Sequence, residues 1–238
     1  MKRRNLLNTS AVGAGAIFLK SCKNDSKETY TNKSMTANVK PITKTERTAR
    51  IAKAQKLMQE QNIEALLLDA GTTMRYFTGI SWHPSERPIV AIIPSNGSVS
   101  FICTGFEENR FREMVPTETK VYAWQEDENS FAQIVNALKD EGIYIGKIGI
   151  EERLRFFILN GIKQIAPQFD LVSGDSITIP CRIVKSTAEI ALMQKATAIT
   201  TAAIKIGIES LKEGCSLSVF SDAVAAAHAK LGATHAFA

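Results

Sequence analysis

Residues 181–207 read CRIVKSTAEIALMQKATAITTAAIKIG. Ser186 stands three residues before Glu189, which is the spacing of a capping box. The Ser hydroxyl accepts from the Glu backbone N–H while the Glu side chain returns to the Ser backbone N–H, so two donors at the helix start are satisfied together. A helix is therefore predicted from this point, continuing to Glu213, with Gly214 as its stop. A second, Ala-rich helix is predicted over residues 216–231, ending at Gly232. The closing ATHAFA, 233–238, reads as entry into a strand. Two helices and the beginning of a strand open a new domain without completing it.

The residues before this stretch alternate between two periodicities. Residues 45–62 carry Ile51, Ala54, Leu57 and Met58 on one helical face. IEALLLDA, 63–70, is a short unbroken apolar run of the kind a strand shows when both its faces are covered. PIVAIIP and SVSFICTG are strands on either side of the turn SNGS. FEENRFREMV is a short helix, KVYAW a strand, and SFAQIVNALKDEG an amphipathic helix closed by Gly142. KIGIEE is a strand, and RFFILNGIKQIAP a helix that Pro167 helps to end. Strands alternating with helices specify an α/β domain over residues 45–180.

The first 44 residues have a different character. Residues 1–50 hold 11 Lys and Arg against 3 Asp and Glu, a balance of +8, and the remainder holds 18 against 21, a balance of −3. The overall +5 thus belongs to the leader, and the folded part lacks the basic surface a nucleic-acid partner requires. Lys2, Arg3 and Arg4 precede an apolar run from Ala11 to Leu19, too short to span a bilayer and suited to an export signal. Arg3 and Arg4 followed by NLL resemble a twin-arginine signal. LKSC resembles a bacterial lipobox that would lipidate Cys22, with Lys20 as a departure from the pattern. A plain signal cleaved near Ser21, or no export, are the other readings. Residues 1–22 are accordingly taken as the signal and 23–44 as a polar tether without apolar periodicity. The expected location is periplasmic or membrane-anchored.

The chemistry-bearing motifs are sparse. Cys22, Cys103, Cys181 and Cys215 form no C-x-x-C pair. His83, His228 and His235 show no H-E-x-x-H spacing, and neither a G-x-S-x-G elbow nor a P-loop is present. GTTMRYFTGISWHPSERP, 71–88, reads as a loop that brings Tyr76, Trp82, His83 and Arg87 together. Trp82, His83 and Arg87 are the candidates for shaping a substrate pocket; the alternative is that the aromatics pack and His83 is solvated. EENRFRE and IEERLR read as solvated, charge-paired faces.

IEALLLDAGTTMRYFTGISW, RPIVAIIPSNG, FEENRF, IGIEE and CRIVKSTAEIALMQKA together resemble the creatinase/prolidase/Xaa-Pro aminopeptidase family of metallopeptidases (M24). The resemblance extends over residues 45–238. Its most specific element is the Arg182, Lys185, Glu189, Met193, Ala196 pattern, which in that family joins an N-terminal α/β domain to a pita-bread domain. The implied fold is a creatinase-like domain with a mixed sheet and flanking helices over 45–180, followed at 181–238 by the first helices of an incomplete pita-bread domain. The implied activity is cleavage of peptide bonds before proline, with proline-containing peptides as substrates and a homodimer as the assembly. The implied cofactors are two divalent metals (manganese, cobalt or zinc) held by two Asp, one His and two Glu. None of those ligands has a position in this sequence, so this chain alone is expected to bind no metal pair and to be inactive. A non-catalytic binding or dimerisation module on the same fold is the competing reading, a ligand-binding α/β lipoprotein a third, and creatinase-like activity a further family option.

Overall fold

The computed structural model describes residues 34–233; the signal, the first half of the tether, Cys22 and His235 lie outside the described residues. Two compact units emerge, one over Met35–Thr201 and another taking in the residues from Ala202.

The first unit is built on a six-stranded sheet in the order β4-β3-β2-β1-β5-β6. Helix α1, Lys44–Glu60, starts at Thr43, whose side chain accepts from the Glu46 N–H. It leads into β1, Ile63–Asp69. Helix α2, Thr72–Thr78, and a connection then reach β2, Val90–Pro94, which pairs antiparallel with β1. Strand β3, Ser100–Thr104, pairs antiparallel with β2. A 3₁₀ turn and α3, Glu108–Arg112, lead to β4, Val121–Trp124, which runs parallel to β3. Helix α4, Ser130–Asp140, crosses to β5, Gly146–Ile150, parallel to β1. Helix α5, Phe156–Ile165, then reaches β6, Phe169–Ser173, parallel to β5. Helix α6, Asp175–Arg182, follows.

The unbroken apolar run of β1 has a direct physical reason. Ala65 and Leu67 point into a core under α4 and α5, with Ile134, Leu138, Ile158 and Ile162. Leu66 and Leu68 point to the opposite face, where Met58, Met74, Phe77 and Phe111 cover them. Alternate side chains enter opposite cores, so from Ala65 to Leu68 no position of β1 is polar; Glu64 at its start is only partly buried, and Asp69 ends the strand. Every leucine in β1 is fully buried.

Gly161 of α5 sits where a methyl group would fall inside the Phe131 ring on α4. A Gly161→Ala chain gains helix propensity of about 1 kcal/mol but must displace that ring, an overpacking cost of about 1–3 kcal/mol. Net destabilisation is expected, read as a lower urea midpoint; a higher midpoint would show that the two helices separate without cost.

Several sequence expectations are met. The sheet is mixed and flanked by helices. The capping box forms as read: Ser186 N donates to Glu189 Oε2 at 2.8 Å, and Glu189 N donates to Ser186 Oγ at 3.2 Å. Helix α7 spans Thr187–Ser210 and α8 spans Leu217–Leu231, capped by Ser216 and followed by Gly232 at φ 96°. In the second unit Ala203, Val224 and Ala227 form a small core with Phe220. His228 is buried, its Nδ1 2.9 Å from the Val224 carbonyl oxygen.

Two expectations are corrected, and two elements were not anticipated. Residues 71–88 are not one loop, because Thr73, Met74 and Phe77 are buried along a short helix that stops at Gly79, φ 84°. The α7 helix ends at Ser210 rather than Glu213, since residues 211–216 turn back through Cys215 N donating to the Lys212 carbonyl. Strand β6 and helix α6 are the unanticipated elements: β6 is an edge strand with only Phe169 buried, and α6, which buries Ile177, Thr178 and Cys181, contains Pro180. Cys181 in α6 is buried in the same core as Leu66 and Leu68.

Candidate functional site

Strands β1 and β5 are adjacent and parallel, and both end at the same edge of the sheet. Open α/β sheets place their ligand crevices outside the carboxyl ends of their strands. Here that edge holds a cavity of about 430 Å³, lined by Asp69, Arg75, Trp82, His83, Glu151 and Arg155 among others.

Asp69 closes β1 and is 2% exposed. Its carboxylate receives Arg155 in two-pronged fashion: Nε to Oδ2 at 2.6 Å and Nη2 to Oδ1 at 3.0 Å. The Ala70 N–H adds a third bond to Oδ1 at 2.8 Å. Arg155 immediately precedes α5, and its Nη2 also donates to the Arg87 carbonyl at 3.4 Å. One guanidinium thus ties the end of β1, the start of α5 and the connection before β2 into a single rim. A planar fork that meets a carboxylate on both oxygens fixes orientation as well as charge.

Glu151 follows β5 directly and is 3% exposed. Burial pushes its carboxyl up to about 7; a hydrogen bond from Thr73 opposes the shift, Asp69 adds to it, and Arg182 opposes it. Arg182 Nη1 donates to Thr73 Oγ1 at 2.9 Å, which leaves the Thr73 proton for the carboxyl. Among the described residues the Glu151 Oε2 has no hydrogen-bond partner. This is a group able to hold or release a proton near neutrality at the edge of a cavity.

The sequence-predicted residues are only partly brought together. Trp82 and His83 both line the cavity, with His83 exposed. Trp82 also packs, its ring 5.5 Å from Phe111 with Arg110 at 4.8 Å over its face. Arg87 does not line the cavity; its Nε donates to Glu126 at 2.7 Å, its Nη1 meets Glu86, and its guanidinium lies 5.3 Å from the Phe106 ring. Tyr76 faces elsewhere, donating to the Cys181 carbonyl at 2.6 Å beneath the Arg50 guanidinium.

IEERLR is corrected from a solvated charged face. Glu151 is buried and Arg155 pairs with Asp69, 86 residues away, rather than with a neighbour one turn off. EENRFRE does contain the expected pair, Glu108 with Arg112 at 2.7 Å. Sequence reasoning missed Asp69, Glu151 and Arg155. The available signal was an acidic residue at the carboxyl end of each of two apolar strand runs.

Residues 50–184 match the model of the creatinase/prolidase N-terminal domain. The chain belongs to that family. The domain is 29% identical over 171 residues to an uncharacterized peptidase of Schizosaccharomyces pombe, covering 66% of this chain and 36% of the yeast protein. It is 28% identical over 160 residues to an uncharacterized peptidase of Staphylococcus saprophyticus, covering 66% and 43%. Its fold is similar to that of a recombinant prolidase from Thermococcus sibiricus, at TM-score 0.67 and 23% identity over 76% of this chain and 49% of that one. The Xaa-Pro dipeptidase from Bacillus anthracis follows at TM-score 0.63 and 20% identity, over 79% and 50%. The chain therefore spans half or less of the length of these relatives.

Proposed function

We propose that this chain supplies the creatinase-type N-terminal domain of an exported Xaa-Pro peptidase, which cleaves the bond before proline. The observation that carries the reading is the match over residues 50–184 together with the fold shared with prolidases and Xaa-Pro dipeptidases. In this reading Trp82 and His83, at the mouth of the β1/β5 cavity, help to shape the space a peptide enters.

The family implies a pair of divalent metals, and the residues described here do not fit one. Among the described residues no group of three His, Cys, Asp or Glu converges. Asp69 and Glu151 line one cavity, and Asp69 already has both oxygens on Arg155. No catalytic step is drawn through metal on these side chains. That observation favours, as the second reading, a domain that positions or docks without performing the chemistry itself.

The test is hydrolysis of Ala-Pro against Ala-Ala by the protein isolated from its native source, with and without manganese. Manganese-dependent cleavage of Ala-Pro, at least tenfold faster than of Ala-Ala, supports the peptidase. A folded protein with no turnover leaves the docking module. In the active protein His83→Ala is expected to raise KM several-fold with kcat little changed; an unaltered KM removes His83 from the substrate's surroundings.

Export rests on residues 2–22: three cations, a nine-residue apolar run and LKSC. Cells fed labelled palmitate should yield a labelled protein, and Cys22→Ala should abolish the label and release the protein from the membrane fraction. Label persisting in the variant would exclude Cys22 as the anchor.

A further inference from the structure

Glu151 is buried at the edge of the β1/β5 cavity, and one of its partners leads out of that site. Thr73 of α2, 1% exposed, gives its hydroxyl hydrogen bond to the Glu151 carboxyl. The same Thr73 Oγ1 accepts from Arg182 Nη1 at 2.9 Å. A hydroxyl has one proton to give and two lone pairs to offer, so it serves both groups at once. Arg182 is the last residue of α6 and lies 109 residues from Thr73 in the chain. Three side chains thus run in series from the cavity to the end of α6.

The connector that follows, residues 183–186, is held by side-chain bonds rather than by burial. Ile177 and Cys181 anchor α6 in the core, but Ile183 and Val184 are 66% and 75% exposed. The Lys185 ammonium turns back onto the Arg182 and Ile183 carbonyls at 2.7 and 3.1 Å, inside the connector itself. The start of α7 is fixed separately: Ser186 Oγ donates to Glu46 at 2.9 Å, and Glu189 pairs with Arg50 at 3.3 Å. Between these anchors Arg182 ties the end of α6 to α2.

We propose that Glu151, Thr73 and Arg182 form a proton-controlled latch on the connector between α6 and α7. Ionised Glu151 draws the Thr73 proton and leaves the hydroxyl lone pairs to Arg182, so cation, hydroxyl and carboxylate line up. Neutral Glu151 donates its own proton to Thr73 and competes with Arg182 for the same oxygen. The connector is held in the first state and loosened in the second. Burial pushes the Glu151 carboxyl up to about 7, which places the change near neutral pH. Arg182 favours the ionised form, while Asp69 on β1 and the adjacent Glu152 oppose it. Arg75 on α2, His83 and Arg153 line the same cavity, and Arg155 is committed to Asp69. Nothing in the latch depends on the peptidase reading.

Hydrogen exchange at the Ile183 amide, which closes α6 on the Ile179 carbonyl at 2.8 Å, reads the latch. Charge-assisted hydrogen bonds are roughly twice as strong as neutral ones, so protection of this amide, corrected for the base-catalysed rate of an open one, should rise about fivefold from pH 6 to pH 8. In Glu151→Gln, which cannot ionise, protection should not change between these pH values. At pH 8 the variant's global stability exceeds the parent's because the buried charge is gone, while its Ile183 amide is less protected; a general loosening gives no such split. Linkage makes the coupling reciprocal, so Arg182→Met should move the Glu151 titration, followed by carbon NMR, to higher pH. Thr73→Ser, which keeps the hydroxyl, should keep the pH dependence, and Thr73→Val should abolish it. Equal protection at pH 6 and pH 8 in the parent chain overturns the proposal, and that comparison needs no variant to fold. So does a pH dependence that persists in Glu151→Gln, which would belong to another group, or a Glu151 titration unmoved in a folded Arg182→Met chain.

Discussion

An Arg155→Ala chain is expected to lose about 3–5 kcal/mol of stability at pH 8, the usual cost of removing one partner from a buried ion pair. Asp69 is 2% exposed, and the substitution leaves its carboxylate with the Ala70 N–H alone. The cost is desolvation of an unpaired charge more than loss of the contact itself. A second substitution, read by urea unfolding, identifies the cause. Asp69→Asn placed in the Arg155→Ala chain should recover part of the loss at pH 8 by removing the stranded charge. A deficit unaffected by Asp69→Asn would mean that Arg155 stabilises by packing, for example on Phe157, whose ring lies 5.0 Å from its guanidinium.

Glu151→Gln is expected to stabilise the protein, which is unusual for a substitution at a buried position. Glu151 ordinarily titrates at 4.5 and in the fold is pushed up to about 7. Between those values the native state binds a proton that the unfolded state has given up, so stability falls as pH rises through this window. Above pH 7 the full cost of the buried charge is present, about 3 kcal/mol. The neutral amide carries no such cost. At pH 8 the variant should exceed the parent by about 2–3 kcal/mol, and near pH 4.5 the two should converge. A constant difference across this range would show that the charge of Glu151 is not what burial penalises. The result also bears on the site: a group kept at this cost beside a cavity is better explained by a use for its proton than by stability.

How much of this was legible beforehand depended on the range of the interaction involved. The Ser186–Glu189 box was readable because both partners lie within one turn and each satisfies the other's backbone. IEALLLDA announced a strand covered on both faces because its run of buried positions is contiguous in the chain. The helical character of 72–78 was hidden by its seven-residue length and its Gly borders, and only packing of Met74 and Phe77 against the sheet makes it a helix. Trp82 and His83 were recognisable as a loop with recognition chemistry, whereas Arg87, equally suggestive in sequence, is engaged by Glu126. Glu151 looked like any acid in a charged run. Its neighbour Glu152 is exposed, and the sequence contains nothing local that separates the two.

By itself, then, the sequence determined the alternation of strands and helices, the capping of α7 and the family motif, because each rests on residues close together in the chain. The pairing of Asp69 with Arg155 and the protonation of Glu151 were decided by tertiary structure alone. Each of these depends on how much water a side chain loses and which distant group replaces it, and neither quantity exists until the surfaces have met.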